Sequence, residues 1–403
     1  MIDLSNVKVF DNHCHAIESD KATMDHESLA HEFVTGMADI PNSTGLGWEE
    51  RRHWGSSPEF MHHCKNMGVV QTLVCHLSKL FGCSDDLETV VSERNRRTAV
   101  GFTNYSKLLY EDAGIVSTVL DSGLPIHDAV EDMIPGKVLR LFQMDTLIDT
   151  LLDKCESYKE LLRNYQEILD RAVRQEGYIG VKCHLAEQFG LSVEPVSENE
   201  VEATFAAAKA SNRVMMYHDG RAAQEPEGYK RVYIGILMAT LRQCQELGVP
   251  IHLHTGFTGG LWQGPISNSD PFLLVPFIRR HEFLQTRIIL LHAGYPWMQN
   301  AAMLAFTFPH VWVDMSWATP WSSLRMAELY RDVLSVTPLS KVMFGSGGYS
   351  TPEHAWLAAK TTKNALSKVL DDAVQMSLLT VRQAEKVGRM VLYDNAARLY
   401  GMK

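Results

Sequence analysis

The segment Asp11-Asn12-His13-Cys14-His15 contains the first pair of residues that could do metal chemistry. It follows the apolar run 7–10, which predicts a β-strand. Alternate residues of a strand face the same side, so His13 and His15 project together while Cys14 points away. Two neutral imidazoles held close together form half of a site for a divalent metal ion. A pair of surface histidines at a strand end would show the same spacing.

Two histidines far downstream also close strand-like runs. His254 ends the run 251–254, and His292 ends the run 287–292. A glycine follows each of them within two residues and breaks the strand pattern. Scattered surface histidines would not be expected to fall repeatedly at strand ends, so the pattern favours a shared metal site.

The elements that must position these histidines are strands that alternate with helical segments. Between strands, apolar residues recur with helical spacing, as in the stretch 161–172. Eight such strands predict an α/β fold, a (β/α)8 TIM barrel, whose active site lies at the carboxyl ends of the strands. The predicted strands are residues 7–10, 115–121, 137–142, 178–184, 251–254, 287–292, 311–314 and 341–346.

Residues 16–114 show no strand alternation and instead contain helical segments such as 26–37 and 57–80. This length far exceeds an ordinary connection between a strand and a helix. We therefore predict a large helical insertion after strand 1 that caps the barrel, within a single domain over residues 1–403.

The composition excludes several classes of partner. The 403 residues are 45% hydrophobic and 21% charged, which is typical of a globular protein. A net charge of −10 argues against nucleic acid or an anionic membrane as the partner. The seven cysteines show no CxxC pair, and the first residues do not look like a signal peptide, so we expect a reduced, cytoplasmic protein. We also expect a homo-oligomer.

Several of these motifs resemble the amidohydrolase superfamily of metal-dependent barrels. They are the D-x-H-x-H start, a lysine that ends strand four, the histidines that end strands five and six, and the terminal stretch 395–401. The segments 253–257, 291–296, 344–346 and 349–353 are similar to one branch, the amidohydrolase-2 domain that some organisms fuse to glutamine synthetase. The resemblance spans the chain, and it implies the barrel and the helical insertion.

The resemblance also assigns roles to individual residues. It implies that one divalent ion, zinc or manganese, binds to His13, His15, His254 and His292. His292 and Lys182 would also take part in catalysis. In some superfamily members the strand-four lysine is carboxylated and bridges two metals, and in others it binds the substrate as an ammonium. A buried salt bridge is the alternative for Lys182.

Two further residues are candidates for binding a small substrate with an anionic group. Arg140 is expected to end the third strand, where its guanidinium could hold a carboxylate in a bidentate fork. Pairing of Arg140 with an acid of the insertion, such as Glu18, is an equal alternative. Tyr349 lies in the segment after strand eight that resembles the family.

The sequence departs from the family pattern at Gly347, where the family has an aspartate that binds the metal and accepts a proton from the attacking water. A positioned general base typically contributes ~10²–10⁴-fold, so we expect Gly347→Asp to raise hydrolytic turnover by at least ~10²-fold. The chain could use a different base, bind without turnover, or be an altered enzyme. Asp314 and Glu353 are nearby in sequence as substitute bases, although structural roles are favoured for both.

By analogy with the γ-glutamyl amide hydrolases of this branch, the resemblance implies metal-assisted hydrolysis of an amide bond. Two alternatives remain open. The first is non-oxidative decarboxylation, for which relatives use the same ligands. The second is metal binding without turnover, which Gly347 favours.

Overall fold

The computed structural model describes residues 2–34, 57–122, 130–210, 227–257 and 266–402. Its sheet has eight parallel strands in chain order, and backbone hydrogen bonds from Asn12 N to Phe344 O (3.0 Å) and from Gly347 N to His13 O (2.8 Å) join its two ends. This confirms the predicted (β/α)8 barrel. The strands are β1 (Val9–Cys14), β2 (Ile115–Leu120), β3 (Lys137–Gln143), β4 (Gly180–Cys183), β5 (Ile251–Leu253), β6 (Ile288–Leu290), β7 (Val311–Asp314) and β8 (Val342–Met343).

Helices surround the sheet. Those described between β1 and β2 are α1 (His26–Glu32), α2 (Pro58–Lys65), α3 (Gly68–Phe81), α4 (Leu87–Thr98) and α5 (Phe102–Ala113). Those described after β3 are α6 (Met144–Lys154), α7 (Tyr158–Arg174), α8 (Leu185–Gln188), α9 (Glu198–Ala210), α10 (Glu227–Leu247), α11 (Val275–Ile278), α12 (Met298–Thr307), α13 (Ala318–Trp321), α14 (Met326–Val336), α15 (Pro352–Gln375), α16 (Val381–Arg389) and α17 (Asn395–Leu399).

The described parts of the stretch 16–114 are helical, as predicted, while its residues 35–56 lie outside the described residues. A buried ion pair fixes this insertion to the start of α15: Arg94 Nε donates to Glu353 Oε1 at 2.5 Å. The Tyr105 hydroxyl donates to the same oxygen at 2.8 Å. Because Glu353 is held by these two groups, we assign it a structural role.

The period-two alternation of the strands decides which side chains enter the barrel. Val119 of β2 and Leu141 of β3 pack in an interior apolar cluster. The inward position two residues later is Asp121 after β2 and Gln143 at the end of β3. Apolar side chains therefore fill the lower barrel, and polar side chains face its carboxyl-terminal mouth.

Candidate metal centre

Histidines from three strand ends meet at the barrel mouth. The ring centroids of His13 and His15 are 4.8 Å apart, those of His13 and His292 are 5.4 Å apart, and those of His254 and His292 are 4.4 Å apart. The fold thus brings together the four histidines that the resemblance implied as ligands. It does so because the carboxyl ends of parallel strands lie at one edge of the barrel.

Burial keeps these imidazoles neutral. It is the largest cause that lowers the pKa values of His13, His254 and His292 well below the usual histidine range, and the neighbouring Lys182 ammonium lowers them further. The pKa of His15 is lowered to about 4, again mainly by burial. Neutral imidazole is the form that binds a metal ion.

The ring nitrogens of two histidines meet a simple test for a metal site. Both nitrogens of His13 and both nitrogens of His254 are buried and make no hydrogen bond within the described part of the chain. A buried polar atom without a partner costs ~1–3 kcal/mol. A bound cation would satisfy one nitrogen of each ring, so the residues present fit a divalent ion.

One carboxylate beside this centre belongs to Asp121. Its Oδ2 lies 3.8 Å from His15 Nδ1 and accepts a hydrogen bond from Lys182 Nζ at 2.7 Å. Asp121 also accepts a hydrogen bond from Gln143. Although burial works in the opposite direction, the positive Lys182 lowers the pKa of Asp121, so the carboxylate is ionised. Lys182 thus forms the buried salt bridge that was the alternative to a catalytic role. A catalytic role of Lys182 stays a prediction.

A second carboxylate, Glu187, was missed by the sequence reasoning. Glu187 Oε1 lies 3.3 Å from His254 Nδ1, and Glu187 Oε2 lies 3.9 Å from His184 Nε2. His184 and Asp121 each end a predicted strand. The reasoning that selected His254 and His292 at strand ends could therefore have found both of them. Glu187 lies one helical turn after His184, on the short helix α8, where nothing in the sequence marks it.

His292 is held in a specific orientation. Its backbone has a φ of 63°, a left-handed conformation that is uncommon outside glycine, asparagine and aspartate. The Nδ1 atom lies 3.0 Å from the Ser316 hydroxyl, so the other ring nitrogen is left for the site. Below it, Asp314 accepts hydrogen bonds from Asn12 Nδ2 at 2.5 Å and from Ser316 N at 2.8 Å. Although burial raises the pKa of Asp314 to about 6, these bonds support a structural role for it.

Gly347 supplies no carboxylate, and its backbone conformation leaves little room for a side chain. Its φ is +60°, and a Cβ atom at this position would lie 2.7 Å from Trp317 N. Such a contact is closer than real Cβ atoms show, and it involves a backbone atom that cannot rotate away. The structure therefore argues against our expectation that Gly347→Asp simply restores a missing base.

Arg140 does not lie at the strand end that we predicted. The strand β3 continues to Gln143, three residues further, and Arg140 is exposed, with its guanidinium carbon 5.6 Å from the centre of the Tyr178 ring. Side chains alternate along a strand, and Leu141 and Gln143 face the barrel interior. The Arg140 side chain therefore points to the outside of the barrel. The predicted position of Arg140 at the barrel mouth is wrong, and we do not assign it to the substrate.

Tyr349 lies at the edge of the site. Its hydroxyl donates to the backbone carbonyl of Glu32 in the insertion, and its ring stacks on His354 with centroids 4.6 Å apart. These contacts connect the insertion to the segment after β8. Binding of substrate by Tyr349 stays a prediction.

Aromatic side chains form one wall of the mouth. The Trp317 ring lies 5.2 Å from the His292 ring and 4.4 Å from the Trp321 ring, between centroids. Phe257 and Tyr295 complete a cleft that His292 also lines. The wall therefore presents apolar surface beside His292.

An eight-stranded α/β barrel with buried, neutral histidines at its mouth defines the metal-dependent class of barrels. Within that class, residues 165–402, more than half of the chain, match the profile of the amidohydrolase-2 family, described as amidohydrolase. The chain belongs to this family. Protein fluG of Emericella nidulans is 26% identical over 246 residues, which are 60% of this chain and 28% of that protein. The chain thus spans less than a third of this relative's length.

Solved structures show the same fold at lower identity. An inferred metal-dependent hydrolase from Lactobacillus casei ATCC 334 has a TM-score of 0.78 and 17% identity, covering 100% of this chain and 98% of that chain. A uronate isomerase from Thermotoga maritima has a TM-score of 0.63 and 15% identity, covering 98% of this chain and 95% of that chain.

Among the described residues, no helix combines the length and the apolar character needed to cross a membrane.

Proposed function

We propose that this protein is a metal-dependent hydrolase that cleaves an amide bond of a small substrate. The observation that carries the proposal is the set of orphaned ring nitrogens of His13 and His254, buried beside the carboxylates of Asp121 and Glu187. Family membership supports hydrolytic chemistry, while the choice of an amide rests on the resemblance to the γ-glutamyl amide hydrolases.

His13, His15, His254 and His292 would hold the ion, as zinc or manganese. A bound divalent ion lowers the pKa of a water molecule toward ~7 and polarises a carbonyl group. Within the chain, Ser316 orients His292, and the Lys182 ammonium keeps the Asp121 carboxylate ionised at the mouth. The aromatic wall beside His292 would limit the access of water to the reacting group.

The substrate class that we propose to test first is the γ-glutamyl amides, which carry an anionic group. Arg140 does not face the mouth, so a γ-glutamyl anilide should be compared with a neutral anilide of the same leaving group. A faster reaction of the γ-glutamyl compound supports recognition of the anion. Equal kcat/KM values for the pair would leave an amidase that does not require an anionic group.

The test is hydrolysis by metal-free protein and by protein reloaded with zinc or manganese. We expect turnover only in the loaded protein, and a loss of at least ~10³-fold in His13→Ala, because a catalytic metal supplies several kcal/mol of transition-state stabilisation. His62→Ala, an exposed histidine of α2, is the matched control and should be unchanged. Equal rates with and without metal would contradict the proposal.

Gly347 favours a second candidate function, metal binding without turnover, because the residue brings no base to the metal centre. Protein that binds zinc tightly and hydrolyses no member of an amide panel would support this candidate. Release of carbon dioxide from an aromatic carboxylate, with no amide cleavage, would instead support the decarboxylase alternative.

A further inference from the structure

Tyr400, which follows α17, reaches the barrel interior. Its ring stacks on Phe10 of β1, with centroids 5.8 Å apart, and on His252 of β5, with centroids 6.3 Å apart. The ring thus packs against the apolar cluster of the lower barrel. Its hydroxyl group instead meets two polar side chains, Asn12 and His252.

The hydrogen bonds of this hydroxyl have a defined direction. Asn12 Nδ2 donates to Asp314 at 2.5 Å, so Asn12 Oδ1 is the acceptor that lies 2.6 Å from the Tyr400 hydroxyl. A phenol has one proton, and Tyr400 gives it to Asn12. His252 Nε2 lies 2.8 Å from the same hydroxyl and must therefore donate to its oxygen. A neutral His252 then carries its proton on Nε2.

The amide of Asn12 connects Tyr400 to the groups that hold His292. Asp314, at the end of β7, also accepts a hydrogen bond from Ser316 N at 2.8 Å, and Ser316 Oγ lies 3.0 Å from His292 Nδ1. Burial raises the pKa of Asp314, and a hydrogen bond to the backbone of His292 acts against it. Asp314 thus contacts both the main chain of His292 and the residue that orients its ring.

An irregularity in β1 makes this connection possible. In a regular strand, the adjacent residues Asn12 and His13 would face opposite sides of the sheet. The register of β1 against β2 shifts between Asp11 and Cys14, as at a β-bulge, which re-aims side chains. Both side chains therefore enter the barrel: His13 approaches the other histidines at the mouth, and Asn12 reaches Tyr400 below them.

We propose that Tyr400 is a positioning residue for the metal ligand His292 and acts on it through Asn12, Asp314 and Ser316. The role rests on the metal centre of the proposed function and adds a requirement to it. Without the phenol hydroxyl, the Asn12 amide loses the donor that fixes its orientation, and it can turn away from Asp314. The carboxylate beneath His292 then loses a buried donor, and His292 is held less firmly for the metal.

The first test is zinc affinity in the full chain, measured by competition with a chromogenic chelator. Tyr400→Phe keeps the stacked ring and should bind zinc about 10-fold more weakly, the lower end of the contribution of outer partners. Tyr393→Phe is the matched control, because Tyr393 packs on the same Phe10 ring at 6.0 Å, and it should be unchanged. A lower melting temperature of Tyr400→Phe with unchanged zinc affinity would reduce Tyr400 to a packing residue and overturn the proposal.

A double-variant comparison tests the route through Asn12. Residues that act through one network are not additive. In the background of Asn12→Leu, which already lacks the amide, Tyr400→Phe should therefore change zinc affinity by less than about 2-fold. The full effect of Tyr400→Phe in that background would show another route and overturn the proposal.

The ¹⁵N chemical shifts of the histidine rings test the proton arrangement in the unaltered protein, even if a variant does not fold. The His252 signals, assigned by their loss in His252→Gln, should be those of the Nε2–H tautomer. The Nδ1–H tautomer would overturn the proposal, because Tyr400 would then donate to His252 instead of Asn12. Unaltered protein that binds no zinc would overturn the proposed function as well, whereas equal zinc affinities of the unaltered protein and Tyr400→Phe would overturn only the role of Tyr400.

Discussion

Two sides of the barrel mouth each place a carboxylate beside imidazoles, but their contacts differ. On the side of β1 and β2, Asp121 lies near His15 and accepts a hydrogen bond from the buried Lys182 ammonium. On the side of β4 and β5, the contacts of Glu187 described above are with the rings of His184 and His254. The first side thus pairs its carboxylate with an ammonium group of the chain, and the second places its carboxylate between two imidazoles. We expect the ion pair of the first side to contribute to folding without metal, and we expect the second side to affect metal affinity.

The largest effect expected from this difference is on stability. Lys182→Met in metal-free protein should lower the free energy of unfolding by about 3–5 kcal/mol, because it leaves the buried Asp121 carboxylate without its cation. Urea denaturation measures this change. The exposed Lys159→Met should change stability by less than about 0.5 kcal/mol.

Adding Asp121→Asn to Lys182→Met removes the orphaned charge and should recover part of the loss. If Lys182→Met costs under 1 kcal/mol, the first side does not depend on this ion pair, and the contrast between the two sides fails.

A smaller effect is expected on the metal affinity of the second side. Asp145→Asn removes the negative charge that orients His184, and outer partners of this kind typically contribute 10–100-fold in metal affinity. Competition with a chromogenic chelator should show zinc bound that much more weakly than by the unaltered protein. Asp153→Asn, at an exposed position of the same helix α6, should leave the zinc affinity unchanged. An unchanged zinc affinity in Asp145→Asn would mean that the second side does not affect metal binding, and the contrast between the two sides would fail.

The smallest effect concerns Gly347, which follows β8 and donates its backbone N–H to His13 O of β1. Gly347→Ala and Gly347→Asp should each cost about 1–3 kcal/mol of stability, because a side chain there is strained by the positive φ and meets the Trp317 backbone. Gly82→Ala is a control for the conformation alone, since Gly82 has a φ of +68° and open space around its Cβ position. Gly82→Ala should therefore cost less stability than Gly347→Ala. Thermal denaturation measures the stability of all three variants. A gain in turnover by Gly347→Asp would show that the backbone around Trp317 can move to admit the carboxylate.

The sequence by itself determined the barrel and its histidines. Strand alternation has a period of two, and parallel strands place their carboxyl ends at one edge, so His13, His15, His254 and His292 had to approach one another once eight strands were recognised. Asp121 and His184 follow the same rule and could have been included.

Other features were decided only by the tertiary structure. Arg140 lies three residues before the end of β3 because the strand extends to Gln143, and a strand end is not marked sharply by residue type. Glu187 reaches His254 through a single helical turn whose direction depends on packing after β4. The fit of Gly347 against Trp317 joins residues 30 positions apart, from two different strand ends, and such close backbone approaches leave no local pattern in the sequence.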